Sequence, residues 1–524
     1  MSIPARFPIE LFGEVAEHLD LVDKAKLCLT SKQVHSFVLP LLYSTLELRG
    51  SLCLSRVRFL IAHPHLSRFV RELVLIPNHM KPGPTQKHLS SEVELTRAME
   101  LLAPNLSSLE KFVWDGSEIA DDYLWVALRK SCPSLRDIAI NLGTKPMDPT
   151  SALFQFDDLL HFGLSSKVRD DDYSPNVSFD QSEKLPTEFW DMLINRSPRL
   201  RSLSLGHRGA SHHSRRNLDI TPITKARWSS LSRLTLENCR IEDSSDPFSN
   251  FNAFSEFIAA HQSITHLQIH GLPDLGYRDL LKHLKSLGCP VSLGAVPFAI
   301  NTTIEELTLT DEAYNGIAFH AFREYVASLP SLKKLSLWMD FSSNANDAGT
   351  KYDHIEELRG LVSRCPKLES LKVMCSTKGK DSFCMGDFSQ VIQGSSCLKA
   401  VEMWKCHKAG DAPPAQVAEK LFRDHTGLEE VVIRSIHGHR RRRSDSLRIM
   451  QTGLYRVCRA VDGRLENIIA NEKGGKWLPW AVTTKRDEQE LNRKPVNRRS
   501  WFTGSFWNGF WRRGATFRFY EARW

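Results

Sequence analysis

Histidines, cysteines and acidic residues are the side chains of this sequence that could ligate a metal or transfer a proton. Two histidine pairs, His212–His213 and His437–His439, stand in polar, basic stretches without paired carboxylates. The triplet Asp170–Asp172 lacks the alternating spacing of a calcium-binding loop. The 11 cysteines include no CxxC pair, and the nearest pairs have no partners at zinc-site spacing. These patterns indicate solvated loops and buried free thiols, so we predict no metal site.

Signatures of nucleotide binding and hydrolysis are also missing from the sequence. It contains no GxxxxGK[ST], GxGxxG, GxSxG or HExxH motif, and each of these places a catalytic or phosphate-binding group at a defined turn. We therefore predict no catalytic residue and no cofactor, and we expect the chain to act by binding.

The distribution of apolar residues indicates the compartment. No run approaches the roughly 20 apolar residues that are needed to cross a bilayer, and charges interrupt every short apolar run of the N-terminus. The scattered, odd number of cysteines suits a reducing environment. These features predict a cytoplasmic or nuclear protein that is not secreted and has no transmembrane segment.

One pattern, L-x-x-L-x-L with occasional apolar replacements, recurs along most of the chain. It occurs twelve times, at spacings of 24 to 41 residues. The twelve units begin at Val70, Leu109, Leu135, Leu159, Leu200, Leu231, Ile264, Ile304, Leu332, Leu368, Leu398 and Leu428. The alternation at the end of each unit predicts a short strand with one buried face, and helix-patterned segments lie between the units.

A single strand–helix unit is too small to bury its own apolar face, so successive units must stack into a continuous core. This pattern resembles a leucine-rich repeat solenoid. The resemblance implies an α/β fold with parallel strands on a concave side and helices on a convex side. The full cysteine-type form LxxLxLxxC occurs at Leu231–Cys239 and Leu398–Cys406. An ordinary α/β domain with apolar strands is the alternative.

Strand geometry predicts which residues face out of the concave sheet. Most of the outward positions are polar, but three of them, Trp338, Met374 and Trp404, are large and apolar and lie toward the C-terminal half. Large apolar residues at exposed positions are typical anchors of an interface. With Glu402 they form the predicted target-binding set, unless an insertion or the tail covers them. The outward pairs are Thr235/Glu237, Gln268/His270, Thr308/Thr310, Ser336/Trp338, Lys372/Met374, Glu402/Trp404 and Val432/Arg434.

The N-terminal segment, residues 7–48, carries more apolar residues than a segment of its length can bury alone. Pro8 suits the first turn of a helix, where its missing N–H costs nothing. Leu11, Val15 and Leu19 then fall on one stripe, and two further short helical patterns follow. The segment predicts a small three-helix bundle with apolar surface to spare.

The order and spacing of residues in this segment resemble an F-box. One position departs from the family's pattern, because Lys24 stands where an apolar residue usually follows the aspartate. The matching positions are Phe7–Pro8, Glu10, Leu11, Val15, Leu19, Asp23, Leu29–Lys32, Phe37 and Pro40–Tyr43.

This resemblance implies a partner for the surplus apolar surface. In the family the motif docks on the Skp adaptor of a cullin-RING ubiquitin ligase, and F-box followed by leucine-rich repeats is a familiar order in substrate receptors. The chain would then be a non-catalytic substrate-recognition subunit that binds an unknown protein. The alternatives are a helical cap for the repeats, or a repeat scaffold or basic-tailed binding protein outside any ligase. The implied adaptor-binding residues are Pro8, Ile9, Leu11, Phe12, Val15, Leu19 and Leu27.

The C-terminal tail is basic and rich in tryptophan. Residues 434–524 hold 21 Lys and Arg against 8 Asp and Glu, a net charge of +13, which leaves about −5 for the rest of the chain. Six of the twelve tryptophans lie there, interleaved with arginine. Such a tail could fold back into the concave groove, remain a disordered peptide, or contact nucleic acid or a membrane. Residues 446–461 could form a capping helix.

These observations divide the chain into four predicted parts. Residues 1–48 form the F-box, and residues 49–66 form a linker or a first cap helix. Residues 67–440 form the repeat solenoid, and residues 441–524 form the basic, Trp-rich tail.

Overall fold

A computed structural model gives the fold of two compact units. The first unit holds described residues within 9–231 and 238–241, and the second holds those within 232–237 and 247–477. The structure describes residues 9–19, 21–77, 86–143, 146–166, 183–207, 218–241, 247–270, 283–289, 303–309, 316–339, 354–375, 387–406, 412–440, 446–459 and 465–477.

The first unit opens with three short helices and continues as alternating strands and helices. Its helices are α1 (Ile9–His18), α2 (Leu21–Cys28), α3 (Lys32–Tyr43), α4 (Cys53–Ala62), α5 (Pro64–Ser67), α6 (Gln86–Leu102), α7 (Asp122–Ser131) and α8 (Thr187–Ile194). Its strands are β1 (Thr45–Arg49), β2 (Glu72–Ile76), β3 (Lys111–Trp114), β4 (Asp137–Asn141), β5 (His161–Ser166), β6 (Glu183–Lys184), β7 (Ser202–His207), β8 (Leu218–Asp219) and β10 (Cys239–Arg240).

The strands of the first unit form two parallel sheets. The larger has the order β1-β2-β3-β4-β5-β7, and the smaller has the order β10-β8-β6. The order in the larger sheet follows the chain, so each strand lies beside the strand of the next repeat. This arrangement is typical of a stacked repeat array.

The second unit repeats the same scheme over a longer sheet. Its helices are α9 (Pro247–Ala260), α10 (Gly316–Ala327), α11 (His354–Ser363), α12 (Phe388–Ile392) and α13 (Pro414–Asp424). Its strands are β9 (Arg233–Glu237), β11 (His266–His270), β12 (Ser286–Cys289), β13 (Glu306–Leu309), β14 (Lys334–Met339), β15 (Ser370–Cys375), β16 (Ala400–Cys406), β17 (Glu430–Arg440), β18 (Ser446–Arg459) and β19 (Leu465–Trp477).

Strands β9 to β17 of the second unit are parallel and follow chain order, and β18 and β19 then add to the sheet in antiparallel fashion. Each of the twelve predicted units contributes a strand. The predicted α/β class, with a long parallel sheet and helices between the strands, is confirmed.

Main-chain hydrogen bonds join consecutive repeats at the same position of each repeat, and we call this series the ladder. The carbonyl of the second residue in one repeat accepts hydrogen bonds from two successive amides of the next repeat. Lys333 O, for example, accepts from Glu369 N at 2.7 Å and from Ser370 N at 2.9 Å. The same pattern recurs at Ser44, Arg71, Glu110, Arg136, Leu160, Ser232, Thr265, Lys285, Glu305, Glu369 and Lys399.

Side chains alternate along each strand between the core and the opposite face. In β14, Leu335 and Leu337 are buried, whereas Ser336 and Trp338 between and after them are half-buried. Helix α13 covers its side of the core with Val417, Ala418, Leu421 and Phe422, which recur at helical spacing. The apolar positions of the repeats therefore pack between strands and helices and build one core within each compact unit.

Two parallel strands that pair with the predicted ones, β1 and β12, were not identified by the repeat pattern. Leu284, just before β12, and Leu287 within it occupy leucine positions of the pattern, but Gly288 and Cys289 complete the repeat. A Cβ on Gly288 would lie 2.8 Å from the Gln268 side chain, so a larger residue would force that side chain to move. Strand β1 places Leu46 and Leu48 in the core, within the segment assigned to the F-box.

The predicted capping helix over residues 446–461 is wrong, because its described part, Ser446–Arg459, is strand β18. It pairs with β17 over eleven successive positions and with β19 on its other side. Residues 478–524, with most of the tail's tryptophans, lie outside the described residues. Among the described helices, none is both long and apolar enough to cross a membrane.

A carboxyl group on the first unit's sheet provides a test of stability. Asp137 Oδ2 lies 3.8 Å from Lys111 Nζ. Burial raises the pKa of Asp137 from 3.8 to about 6, Lys111 opposes that rise, and Glu72 adds to it. Because the pKa of Asp137 is higher in the folded than in the unfolded state, protonation of this carboxyl favours folding. The resulting stability is fully present below the unfolded pKa of 3.8 and is lost as pH rises through about 6.

We expect Asp137→Asn to stabilise the protein by roughly 1–2 kcal/mol near pH 8, where the ionised carboxylate opposes folding, and much less near pH 4. Urea unfolding of the variant and the parent at both pH values measures the difference. Equal stabilisation at the two pH values would contradict the assignment.

Candidate functional site

The first candidate surface lies on helix α1. Leu11 and Val15 are four residues apart, so they project from the same side of the helix. Their side chains are 40% and 48% exposed. Phe37 on α3 is also 38% exposed. Leu11 and Val15, which we call the α1 face, are therefore apolar side chains that the chain's own core does not cover.

The opposite side of these helices is buried. Ala16 on α1 and Val34, Val38 and Leu42 on α3 are all removed from solvent. Helix α3 begins where the Ser31 hydroxyl accepts a hydrogen bond from Val34 N at 3.1 Å, which satisfies one amide of the first turn. The bundle thus has an inner core, and the α1 face is not part of it.

The other predicted adaptor-binding residues have different surroundings. Leu19 directly follows α1 and Leu27 lies in α2, and both are half-buried. Ile9 and Phe12 belong to α1, but their side chains are not described, and Pro8 lies outside the described residues. Lys24, the departure from the F-box pattern, is half-buried in α2.

The second candidate surface is the outward face of the second unit's sheet. Trp338, Met374, Trp404 and Arg434 are register partners on the successive strands β14 to β17. Ser336, Lys372, Glu402 and Val432 form the neighbouring row on the same strands. All eight are half-buried. The predicted set of Trp338, Met374, Trp404 and Glu402 is thus brought together on adjacent strands.

Glu402 is the centre of a compact ionic group within these rows. Its Oε1 lies 2.9 Å from Arg434 Nε and accepts a hydrogen bond from Trp404 Nε1 at 2.6 Å. Its Oε2 lies 3.6 Å from Lys372 Nζ. One carboxylate therefore holds two cations and an indole in place.

The Trp404 ring is the apolar part of the same group. Arg434 Cζ lies 4.4 Å from the ring centroid, and Lys372 Nζ lies 5.2 Å from it, both within reach of cation–π attraction. Burial lowers the pKa of Arg434, while the Glu402 carboxylate raises it. The guanidinium remains charged because its ordinary pKa is far above neutrality. We call Lys372, Glu402, Trp404 and Arg434 the Trp404 cluster.

The outward row becomes smaller and more polar toward β9. Gly288, Thr308 and Ser336 occupy the same register line as Lys372 on β12, β13 and β14. At its start, Gln268 Nε2 donates to Glu237 Oε1 across β11 and β9 at 3.3 Å. Among the described outward positions of β9 to β17, the large apolar side chains are therefore concentrated on β14 to β16, next to Arg434 on β17.

The residues with metal-ligating or catalytic side chains form no comparable site. Within the described part of the chain, no group of three or more His, Cys, Asp or Glu side chains could hold a metal ion. His212–His213 and Asp170–Asp172 lie outside that part, and His437 and His439 belong to β17 without described side chains. The two candidate surfaces can bind through apolar, aromatic and ionic contacts.

Comparison with known proteins adds little to this description. No family model and no curated protein matches the chain. Among solved structures, the chain is similar to "Crystal structure of Rad7 and Elc1 complex in yeast", at 14% identity and a TM-score of 0.34. That match covers 71% of this chain and 89% of the other.

The target-binding residues predicted from the sequence did not include Lys372 and Arg434, although both occupy predicted outward positions. Their importance arises from contacts between strands that lie more than 25 residues apart in sequence. The signal was available, because equivalent positions of consecutive repeats become neighbours. Comparing equivalent positions would have placed Lys372 directly beside Glu402, and Arg434 one outward position away on the next strand.

Proposed function

We propose that the chain is a substrate-recognition subunit of a Skp–cullin–F-box ubiquitin ligase. The N-terminal helices bind the Skp adaptor, which connects them to the cullin, and the repeats hold a protein target. The chain itself performs no chemistry and acts by bringing the target close to the conjugating enzyme. This proposal extends the F-box resemblance to the residues of α1, α2 and α3.

One observation carries the proposal, namely the exposed α1 face. A helical cap for the repeats needs only the inner side of the bundle, where Val34, Val38 and Leu42 are buried. Such a cap gives no reason for Leu11 and Val15 to be apolar and exposed. Both positions match the F-box pattern, and a docking adaptor would remove both side chains from water.

Complex formation with purified Skp adaptor tests the proposal. The full-length protein and the adaptor are mixed and separated by size-exclusion chromatography. We expect the two chains to elute together as one complex of defined stoichiometry. Separate elution of the two proteins would contradict the ligase assignment and would favour a scaffold that uses the helices only as a cap.

Lys24 provides a test of whether this segment is aligned correctly with the F-box pattern. The family usually has an apolar residue at this position, so we expect Lys24→Leu to bind the adaptor equally well or up to roughly tenfold more tightly. Isothermal titration with purified adaptor measures the change.

The matched control for this test is Lys130→Leu. It adds the same apolar side chain to an exposed site on α7, outside the motif, and should leave the affinity unchanged. A clear loss of affinity in Lys24→Leu, with the control unaffected, would show that the register is wrong.

A further inference from the structure

The Trp404 cluster carries more positive than negative charge. Lys372 and Arg434 contribute two positive charges, and Glu402 contributes one negative charge. Both oxygens of Glu402 are already engaged, one with Arg434 and the Trp404 indole and the other with Lys372. The cluster therefore has a formal net charge of +1 and presents cationic groups beside an aromatic ring.

Trp338 and Met374 extend the cluster on one side. They are register partners of each other, and Met374 is the register partner of Trp404. Adjacent strands lie about 4.8 Å apart, so these three side chains form a short apolar row across β14, β15 and β16. The row leads directly to Arg434 on β17.

We propose that this face binds an acidic segment of a partner protein. A large apolar side chain of the segment packs on Trp338 and Met374, and an aspartate or glutamate pairs with Arg434 and Lys372 beside Trp404. The inference rests on the proposed function in one respect, because it takes this face as the surface that binds the target protein. Its chemical content comes from the charges and contacts of the cluster.

Strand spacing predicts the distance between the two groups of the segment. Arg434 lies two strands from Met374 and three strands from Trp338, which corresponds to about 10–14 Å. An extended chain advances about 3.3–3.6 Å per residue. The carboxylate should therefore follow or precede the apolar anchor by about three or four residues.

The charges of the described outward side chains favour a protein over a nucleic acid. Among the outward positions of β13 to β18 whose side chains the structure describes, four hold cations and three hold carboxylates, and the two signs alternate across the sheet: Lys334, Lys372, Arg434, Arg456, Glu306, Glu402 and Glu430. A nucleic-acid strand needs a continuous track of cations for its phosphates. The net charge of +1 over these seven side chains also disfavours a basic occupant, including the chain's own tail.

A peptide library provides the probe. A phage-displayed library of random peptides is selected on the full-length protein, and the enriched sequences are compared. We expect a shared pattern in which Asp or Glu lies three or four residues from a large apolar residue. Enriched peptides without an acidic residue would overturn the proposal.

Two substitutions that each remove one charge then test the cluster with the best synthetic peptide. Arg434→Gln removes the main cation and should weaken binding about tenfold. Glu402→Gln removes the competing carboxylate and should strengthen binding by a similar factor. Fluorescence polarisation of the labelled peptide measures both. Lys334→Gln removes an outward cation outside the cluster and should leave the affinity unchanged.

The opposite signs distinguish binding from misfolding, because a damaged fold would weaken both variants. Equal losses, or no change in either variant, would overturn the proposal. Displacement of the peptide by a single-stranded oligonucleotide whose own binding needs Arg434 would overturn it in favour of nucleic acid. Peptide binding and adaptor binding are measured separately, so failure of one leaves the other proposal standing.

Discussion

Replacing Leu11 and Val15 together with aspartate is expected to abolish binding of the Skp adaptor and to leave the repeats folded. Burying a large apolar side chain contributes about 1.5–3 kcal/mol, and an unpaired carboxylate in its place adds a desolvation cost. The two changes together should weaken binding by at least about a hundredfold. Both side chains are exposed in the free chain, so its core should be unaffected.

The chain offers a matched control for this double variant. Tyr123 and Val126 lie three residues apart on α7, in the same unit, and are 69% and 53% exposed. Tyr123→Asp with Val126→Asp introduces the same charges at comparable positions outside the F-box pattern. Adaptor affinity is measured by isothermal titration, and the fold is monitored by circular dichroism. Unchanged affinity in the Leu11/Val15 variant, or equal losses in both variants, would contradict the proposed interface.

Leu335→Ala is expected to have the largest effect on stability. Leu335 is buried in β14 and is the register partner of Leu307 on β13 and Leu371 on β15. Removing most of a buried leucine side chain costs about 2–5 kcal/mol, depending on how far the cavity collapses. Urea unfolding measures the loss, and amide hydrogen exchange should show faster opening in β13 and β15 because each repeat stabilises its neighbours.

Ser336→Ala is the control, since Ser336 is the next residue along the strand and faces outward. A surface substitution of this kind usually changes stability by less than about 0.5 kcal/mol. Equal destabilisation by the two substitutions would mean that the outward side of β14 is as tightly packed as its core side.

The strand phase was predictable because it depends on a local pattern. In L-x-x-L-x-L the last two apolar positions must share a face, and Leu335 and Leu337 do so in the structure. The parallel arrangement was also predictable, because stacking identical units places equivalent positions side by side. Both inferences use only the spacing of apolar residues, which the sequence displays directly.

The strands that were missed or misassigned depend on information outside the local pattern. Strand β12 ends in Gly288 and Cys289, so its apolar signal was too weak to count as a unit. In β18, Leu447, Met450 and Leu454 recur at intervals of three and four, which suits a helix. Pairing with β17 over eleven positions outweighs that preference, and the repeat pattern at Leu428 does not show that β17 continues to Arg440 and pairs with the segment after it.

The sequence also could not show how the candidate residues are coupled. It placed Glu402 and Trp404 on the outward face, but the structure adds their distances to Lys372 and Arg434, which belong to neighbouring repeats. Such contacts depend on side-chain conformations across three strands. The face was therefore predicted, whereas the balance of charge on it was not.

The ladder between units has a consequence for how such a chain can evolve. It uses only main-chain carbonyls and amides, so it imposes no side-chain identity at the junctions. A duplication that inserts one complete unit could join its neighbours through the same hydrogen bonds, and its outward residues would be free to diverge. Between β15 and β17 that freedom ends, because an inserted unit would separate Lys372 from Glu402 or Glu402 from Arg434. Repeats can therefore be inserted at other junctions without breaking the Trp404 cluster. The three consecutive repeats that contain β15, β16 and β17 must be kept or duplicated together.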